Sequence, residues 1–221
     1  MSTLLTINVM NNSSSTQSFY VFQQPANFAG GGMAYSDSLY ARALGPYQQT
    51  GSVLTFQAAS QPYACIQQAH GNPQVGQPSG YASASKAIDL AAGGGASNDA
   101  TQASVQPLGL SPPQYAPGVQ PGAFRVTTTS YAPNETYNVG QAVQVGGGLV
   151  LSSFVTAYPS SNIDCEPVPR FYVQTGNYTP GTVINFGQAS RNAAQCDFSG
   201  GHSVIDVTFN MDGTWTVQIL R

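Results

Sequence analysis

The sequence predicts an all-β protein, an antiparallel β-sandwich or jelly-roll-like fold of about ten short strands with at most one or two short helices. Three observations lead there. Apolar residues recur mostly with a period of two. Gly and Pro, at 24 and 15 of 221 residues, punctuate the chain too often for long helices. The C-terminal residues carry a strong short-range hairpin signal.

Along the chain, Leu5, Ile7 and Val9 alternate with Thr6 and Asn8, and Ser18 to Gln23 resumes the pattern after Asn11-Asn12-Ser13-Ser14-Ser15. This reads as an opening hairpin with a long polar loop. Leu39–Leu44, Ser52–Gln57 and Tyr63–Ala69 follow as short strands separated by Gly-Pro, Thr-Gly and Gln-Pro breakers. Residues 70–122 differ. They are rich in Gly, Pro, Ala and Ser, and include Gly93-Gly94-Gly95 and Ser111-Pro112-Pro113. The segment reads as a loop insertion in a single β domain spanning 1–221, with one short Ala-rich helix over 84–92 and an extended cover over a sheet edge at 93–122. Strands resume at Phe124–Thr129. Asn138–Val145 and Leu149–Tyr158 flank Gly146-Gly147-Gly148, which predicts a hairpin. Phe171–Val173, Thr182–Phe186 and Ser203–Phe209 complete the set. In the last pair, Ile205, Val207 and Phe209 share one face, Asn210-Met211-Asp212-Gly213 turns, and Trp215, Val217 and Ile219 share a face of the next strand. Burying six such side chains is worth about 1.5–3 kcal/mol each before entropy is counted. A faint echo links Ser18-Phe19-Tyr20-Val21 to Arg170-Phe171-Tyr172-Val173.

Composition excludes more functions than it suggests. Charged residues make up 7% of the chain, against about 25% in average domains. The six cations, Lys86, Arg42, Arg125, Arg170, Arg191 and Arg221, are scattered, so no stripe forms to neutralise nucleic-acid phosphates or anionic lipid. Gly-Lys-Ser/Thr, HExxH, G-x-S-x-G and EF-hand patterns are missing. The N-terminus lacks the basic and apolar regions of a Sec signal, and no run is long enough for a membrane-spanning helix. The expectation is therefore a cytoplasmic chain, or one exported without a Sec signal peptide.

Residues 1–36, 43–85, 100–124 and 136–163 contain no formal charge at all. With a net charge of −3, electrostatic repulsion between copies is weak, which favours self-association and a homo-oligomer. Twelve tyrosines amid Gln, Ser and Asn also suit a carbohydrate or small-molecule ligand. Tyr35, Tyr40, Tyr47, Tyr63, Tyr81, Tyr115 and Tyr131 lie in or near the expected loops. The leading reading is a non-enzymatic binding or self-assembling β protein with an uncharged Gln/Ser/Tyr-rich surface.

The alternative is a small enzyme or metal-binding protein with an atypical Cys/His site around His202. Cys196, Ser199 and Asp206 surround His202 in sequence and could supply nucleophile, base and orienter. Cys65, His70, Cys196 and His202 offer two thiols and two imidazoles, a set that zinc or copper would take, although the spacings are looser than in zinc modules. No cofactor is expected. The odd cysteine count leaves one bridge open, with Cys165–Cys196 the most plausible pair, against the simpler expectation of buried reduced thiols.

Overall fold

A computed structural model describes residues 3–93, 95–132 and 134–220; Gly94, inside the predicted Gly93–Gly95 turn, lies outside them. In chain order the elements are β1 (Leu4–Asn11), β2 (Gln17–Gln23), β3 (Asn27–Ala29), β4 (Ala34–Leu44), α1 (Tyr47–Thr50), β5 (Leu54–Ala59), β6 (Tyr63–Ala69), β7 (Ala82–Ala87), β8 (Ala100–Val105) and β9 (Leu108–Leu110). They continue with β10 (Phe124–Thr127), β11 (Thr136–Val145), β12 (Gly148–Thr156), β13 (Asn162–Glu166), β14 (Arg170–Thr175), β15 (Val183–Ile184), α2 (Phe186–Ala189), β16 (Ala194–Asp197), β17 (Val204–Phe209) and β18 (Trp215–Leu220). A single 3₁₀ turn, Ser190–Asn192, joins α2 to β16. The chain is all-β as the periodicity predicts, with two four-residue helices among the described residues. Among the described residues, eighteen strands replace the expected ten or so: the three-residue β3 and β9 leave no periodic trace, and β7 and β8 lie in the segment expected to be a loop insertion.

The strands form two sheets. The larger has thirteen strands and runs β16-β14-β2-β4-β12-β11-β5-β1-β17-β18, with β15 on β4, and β6 and β7 branching from β11. It curls until its two edge strands, β16 and β18, approach each other, giving a nearly closed, barrel-like wall. Phe19 of β2 crosses the interior to meet Phe209 and Trp215, each at 5.8 Å between ring centroids. Ile7, Val9, Val21, Phe56, Phe171, Val173, Cys196, Ile205 and Val207 fill the same interior. The second sheet, β3-β13-β10-β8-β9, closes over a separate core of Ile66, Phe124, Val126, Tyr137, Val139, Val155 and Ile163.

Several expectations change here. β1 and β2 do not pair: β1 lies between β5 and β17, and β2 lies between β4 and β14. The polar loop between them is instead pinned by Asn11, whose side-chain amide donates to Ser15 O and Leu44 O at 2.9 Å each. Where a helix over 84–92 was expected, β7 pairs with β6 from Tyr63↔Ala87 to Gln68↔Ala82. Pairing with an existing strand outweighs the weak helix preference of a run that alternates Ala with Ser. The segment 70–122 as a whole holds three strands, β7, β8 and β9. Cys165 and Cys196 sit in different cores, and all three cysteines are free and buried.

Both later hairpins form. β11 and β12 turn at Gly146 and Gly147, whose φ values of 57° and 85° need glycine. β17 and β18 pair from Val204↔Leu220 to Phe209↔Trp215. Only half of the last hairpin is core, however. Ile205 and Val207 are 0% and 1% exposed, whereas Val217 and Ile219 opposite them are 40% and 51% exposed. Trp215 is half-buried, and its indole N–H donates to Asn192 O at 2.9 Å. Trp215→Ala is therefore expected to cost less than the about 3–5 kcal/mol of a fully buried ring. Thermal melting that shows a larger loss would return Trp215 to the core.

Candidate functional site

The residues singled out from sequence are dispersed. His202 is half-buried, and its Nε2–H donates to the carbonyl of Asp197 at 2.5 Å. Its ring tilts against Phe198 at 5.8 Å. Asp197 itself accepts the Ser199 backbone N–H and pairs with Arg170, which together hold its carboxyl down at about 2. Ser199 is exposed at the turn after β16. Cys196 points into the barrel interior, where burial pushes its thiol up to about 12. Asp206 faces the opposite side of β17 from Ile205 and Val207 and accepts from the Asn8 side-chain amide at 2.8 Å. Among the described residues, no hydrogen bond joins His202 to Cys196, Ser199 or Asp206.

The proposed metal ligands are also separated. Cys65 is buried with Ala142, Leu151, Phe154 and Val183, its thiol pushed up to about 12 by burial. His70 is exposed and stacks on Tyr81 at 4.4 Å. Among the described residues, no group of three or more His, Cys, Asp or Glu could hold a metal ion. Several of the tyrosines expected in or near loops serve packing instead, and Tyr35 and Tyr40 lie within β4. Tyr35 stacks on Phe154, Tyr40 leans on Phe56, and Tyr131 donates to Ala157 O at 2.8 Å.

A different feature stands out: a cleft of about 500 Å³ where the end of β14, the segment around α2 and the β17–β18 turn meet. Its origin lies in β2, where the apolar run Phe19–Phe22 is buried on both faces. Phe19 and Val21 point into the barrel, while Tyr20 and Phe22 point outward, as strand alternation requires. The outward pair must be covered, and the chain from 176 to 192 does this. Tyr178 packs on Tyr20 at 4.9 Å, and Phe186 meets Phe22 edge-on at 6.1 Å. The incomplete cover leaves the cleft, lined on its aromatic side by Tyr20, Tyr178 and Phe209.

The polar side is built from amides. Gln174, Asn185, Gln188 and Asn192 all line the cleft, and none of its lining residues carries a formal charge. Two of these amides are fixed by the backbone. Asn185 caps α2 by accepting the Gln188 N–H at 3.1 Å. Gln174 accepts the Thr175 N–H at 2.8 Å and donates to Ala189 O at 3.3 Å. The side-chain amides of Gln188 and Asn192 form no hydrogen bond among the described residues and are exposed. Gly176 makes the aromatic wall possible: at φ 152°, a Cβ there would stand 2.9 Å from the Tyr20 ring. Desolvation, with the Tyr178 phenol as a smaller contribution, pushes the Tyr20 phenol up to about 12, so it stays neutral.

None of these cleft residues had a sequence signature. Neutral amides carry no characteristic spacing, and Tyr20 reads as an ordinary strand residue. The only available signal was Phe19–Phe22 itself, a run too apolar for a strand exposed on one face.

In comparison with known proteins, the RhiA family model matches residues 2–220 of the chain. No curated protein and no solved structure matches it.

Proposed function

We propose that this chain, which belongs to the RhiA family, is a non-enzymatic binding protein whose cleft beside α2 takes a neutral, polyhydroxylated small molecule of the carbohydrate class. The packing of the five-stranded sheet against the barrel wall is read as the sandwich-like part of a rigid β scaffold for that cleft. The observation that carries the function is the cleft's composition, three aromatic residues and four side-chain amides with no charged group in the lining. Aromatic faces pack against the C–H faces of a sugar ring, and amides both donate to and accept from hydroxyls. A charged ligand would be left without a counter-ion there, at a desolvation cost. An enzyme centred on His202 has less support, because its Nε2–H is engaged by a backbone carbonyl and Cys196 is buried as a thiol.

Titration of isotope-labelled protein with a panel of neutral mono- and oligosaccharides tests the proposal. The expected result is saturable shifts at the side-chain amides of Gln188 and Asn192, at micromolar to millimolar affinity. Tyr178→Ala should weaken binding by about tenfold, which is about 1.4 kcal/mol. Shifts confined to other parts of the surface, or none with any sugar, would refute it.

A further inference from the structure

We propose that the loop between β6 and β7, residues 70–81, is a second binding site, which takes one unit of a neutral sugar or sugar chain. The ends of the loop are adjacent: β6 and β7 pair as far as Gln68↔Ala82, and the Tyr81 N–H donates to Gln68 O at 3.1 Å. A tight turn of about two residues could join strands so placed. Residues 70–81 instead make a compact excursion of the Ω-loop kind, a class of loop that often carries function.

The excursion is strapped to its neighbours. The Gly76 N–H donates to Val183 O at 2.8 Å, the Val183 N–H to Gln77 O at 2.9 Å, and the Ser79 N–H to Gly181 O at 3.0 Å. Ser79 is buried; its hydroxyl donates to Asp37 at 2.5 Å, and its carbonyl accepts the Asn138 side-chain amide at 2.9 Å. Gly80 lies so close to β6 that a Cβ would stand 2.4 Å from Gln68 O. Between its two arms, 70–74 and 77–81, the strapped loop leaves a cleft of about 480 Å³. The shape of that cleft is set before a ligand arrives, which lowers the ordering cost of binding.

The lining names the ligand class. His70 stacks on Tyr81 at 4.4 Å with the ring planes 28° apart, yet both rings are exposed, Tyr81 at 56%. Pro73 and Pro78 add apolar surface, and Asn72, Gln74 and Gln77 add exposed amides. Rings and prolyl methylenes suit the C–H face of a sugar, and amides suit its hydroxyls. The lining holds no Asp, Glu, Lys or Arg, so a phosphate or ammonium ligand would lack a fixed counter-ion. The inference rests on the same ring-and-amide chemistry as the proposed function, but at residues that share none with the cleft beside α2.

Titration of the isotope-labelled full chain with glucose, galactose, mannose, N-acetylglucosamine and their short oligomers reads the two clefts separately. The expected result, with at least one of these sugars, is saturable shifts at the side-chain amides of Asn72, Gln74 and Gln77 and at the His70 ring. Tyr81→Ala should weaken binding at the loop by about tenfold and leave any response at Gln188 and Asn192 unchanged. Tyr81→Phe, which keeps the ring, should hold the loop affinity to within about threefold. An unchanged amide spectrum outside the loop in each variant shows that the fold is kept. Shifts at Gln188 and Asn192 alone would overturn the second site and leave the first. Shifts at the loop alone would support the second site and overturn the first, and shifts at neither would overturn both. Loop shifts of undiminished affinity in Tyr81→Ala would also overturn the second site.

Discussion

Replacing Asp37 with Asn should remove a loss of stability that the wild-type protein suffers as pH rises from about 4 to about 7. Asp37 is 0% exposed on β4, where its Oδ2 accepts the Ser79 hydroxyl at 2.5 Å and its Oδ1 has no partner. The groups packed around it are neutral at ordinary pH. They are Val183 across β15, Cys65 on β6, and the buried serines that flank it on β4. Desolvation raises its carboxyl from 3.8 to about 7, with the Ser79 hydrogen bond opposing part of the shift. The folded state therefore holds a proton that the unfolded chain releases above about pH 4. Stability from this group is full below that pH, falls through the window, and is level above about pH 7. At about 1.4 kcal/mol per pH unit the total reaches about 4 kcal/mol. Urea unfolding of the wild type and Asp37→Asn at about pH 4 and about pH 8 checks it, through the difference between the two proteins. A difference that does not change with pH would mean that Asp37 is ionised in the fold.

Gly140→Ala should be among the most damaging single-atom-scale changes in the chain. Gly140 sits in the middle of β11 opposite Phe154, just before the register shift at Gln141 and Ala142. A Cβ there would lie 2.0 Å from Ser153 O and 2.6 Å from the Phe154 Cα. Both are backbone atoms of β12, so no rotamer change relieves the clash, and the two strands must move apart. Overpacking typically costs up to about 3 kcal/mol, and a backbone clash in a central hairpin belongs at or above that limit. For a chain of this length the melting temperature should fall by on the order of 10 °C. A melt matching the wild type would show that β11 and β12 have room to spare at this point.

Local pairing was legible in the sequence and long-range pairing was not. The turns at Gly146-Gly147 and Asp212-Gly213 announced their hairpins because a turn and its two flanking strands are contiguous in sequence. The partners of β1 could not be read in this way, because its alternation of Leu5, Ile7 and Val9 is equally compatible with β2 or β17. Alternation in β18 correctly placed Trp215, Val217 and Ile219 on one face. It could not show that no opposing layer covers two of them. The echo between Ser18–Val21 and Arg170–Val173 marks neighbours: β2 and β14 pair with Val21 opposite Val173 and Phe22 opposite Tyr172. Both runs are apolar on two faces because both lie inside the curled sheet and under its cover. The cleft, made where that cover is incomplete, depends on the relative positions of β14, α2 and the last hairpin, which no local pattern encodes.

The parallel pairing of β1 with β17 governs when the molecule can form. Asn8 and Asp206, joined by a side-chain hydrogen bond across that pair, are 198 residues apart in sequence. During synthesis the first strand leaves the ribosome with Ile7 and Val9 unsealed on the β17 side, and it waits until β17 has been translated. Contacts of such long sequence separation slow folding and prolong the exposure of aggregation-prone strands. The near absence of charge in the first half of the chain gives the waiting segment little repulsion to keep it apart from its neighbours on a polysome. Shielding of β1 until β17 emerges is therefore expected to matter for the yield of folded protein during synthesis.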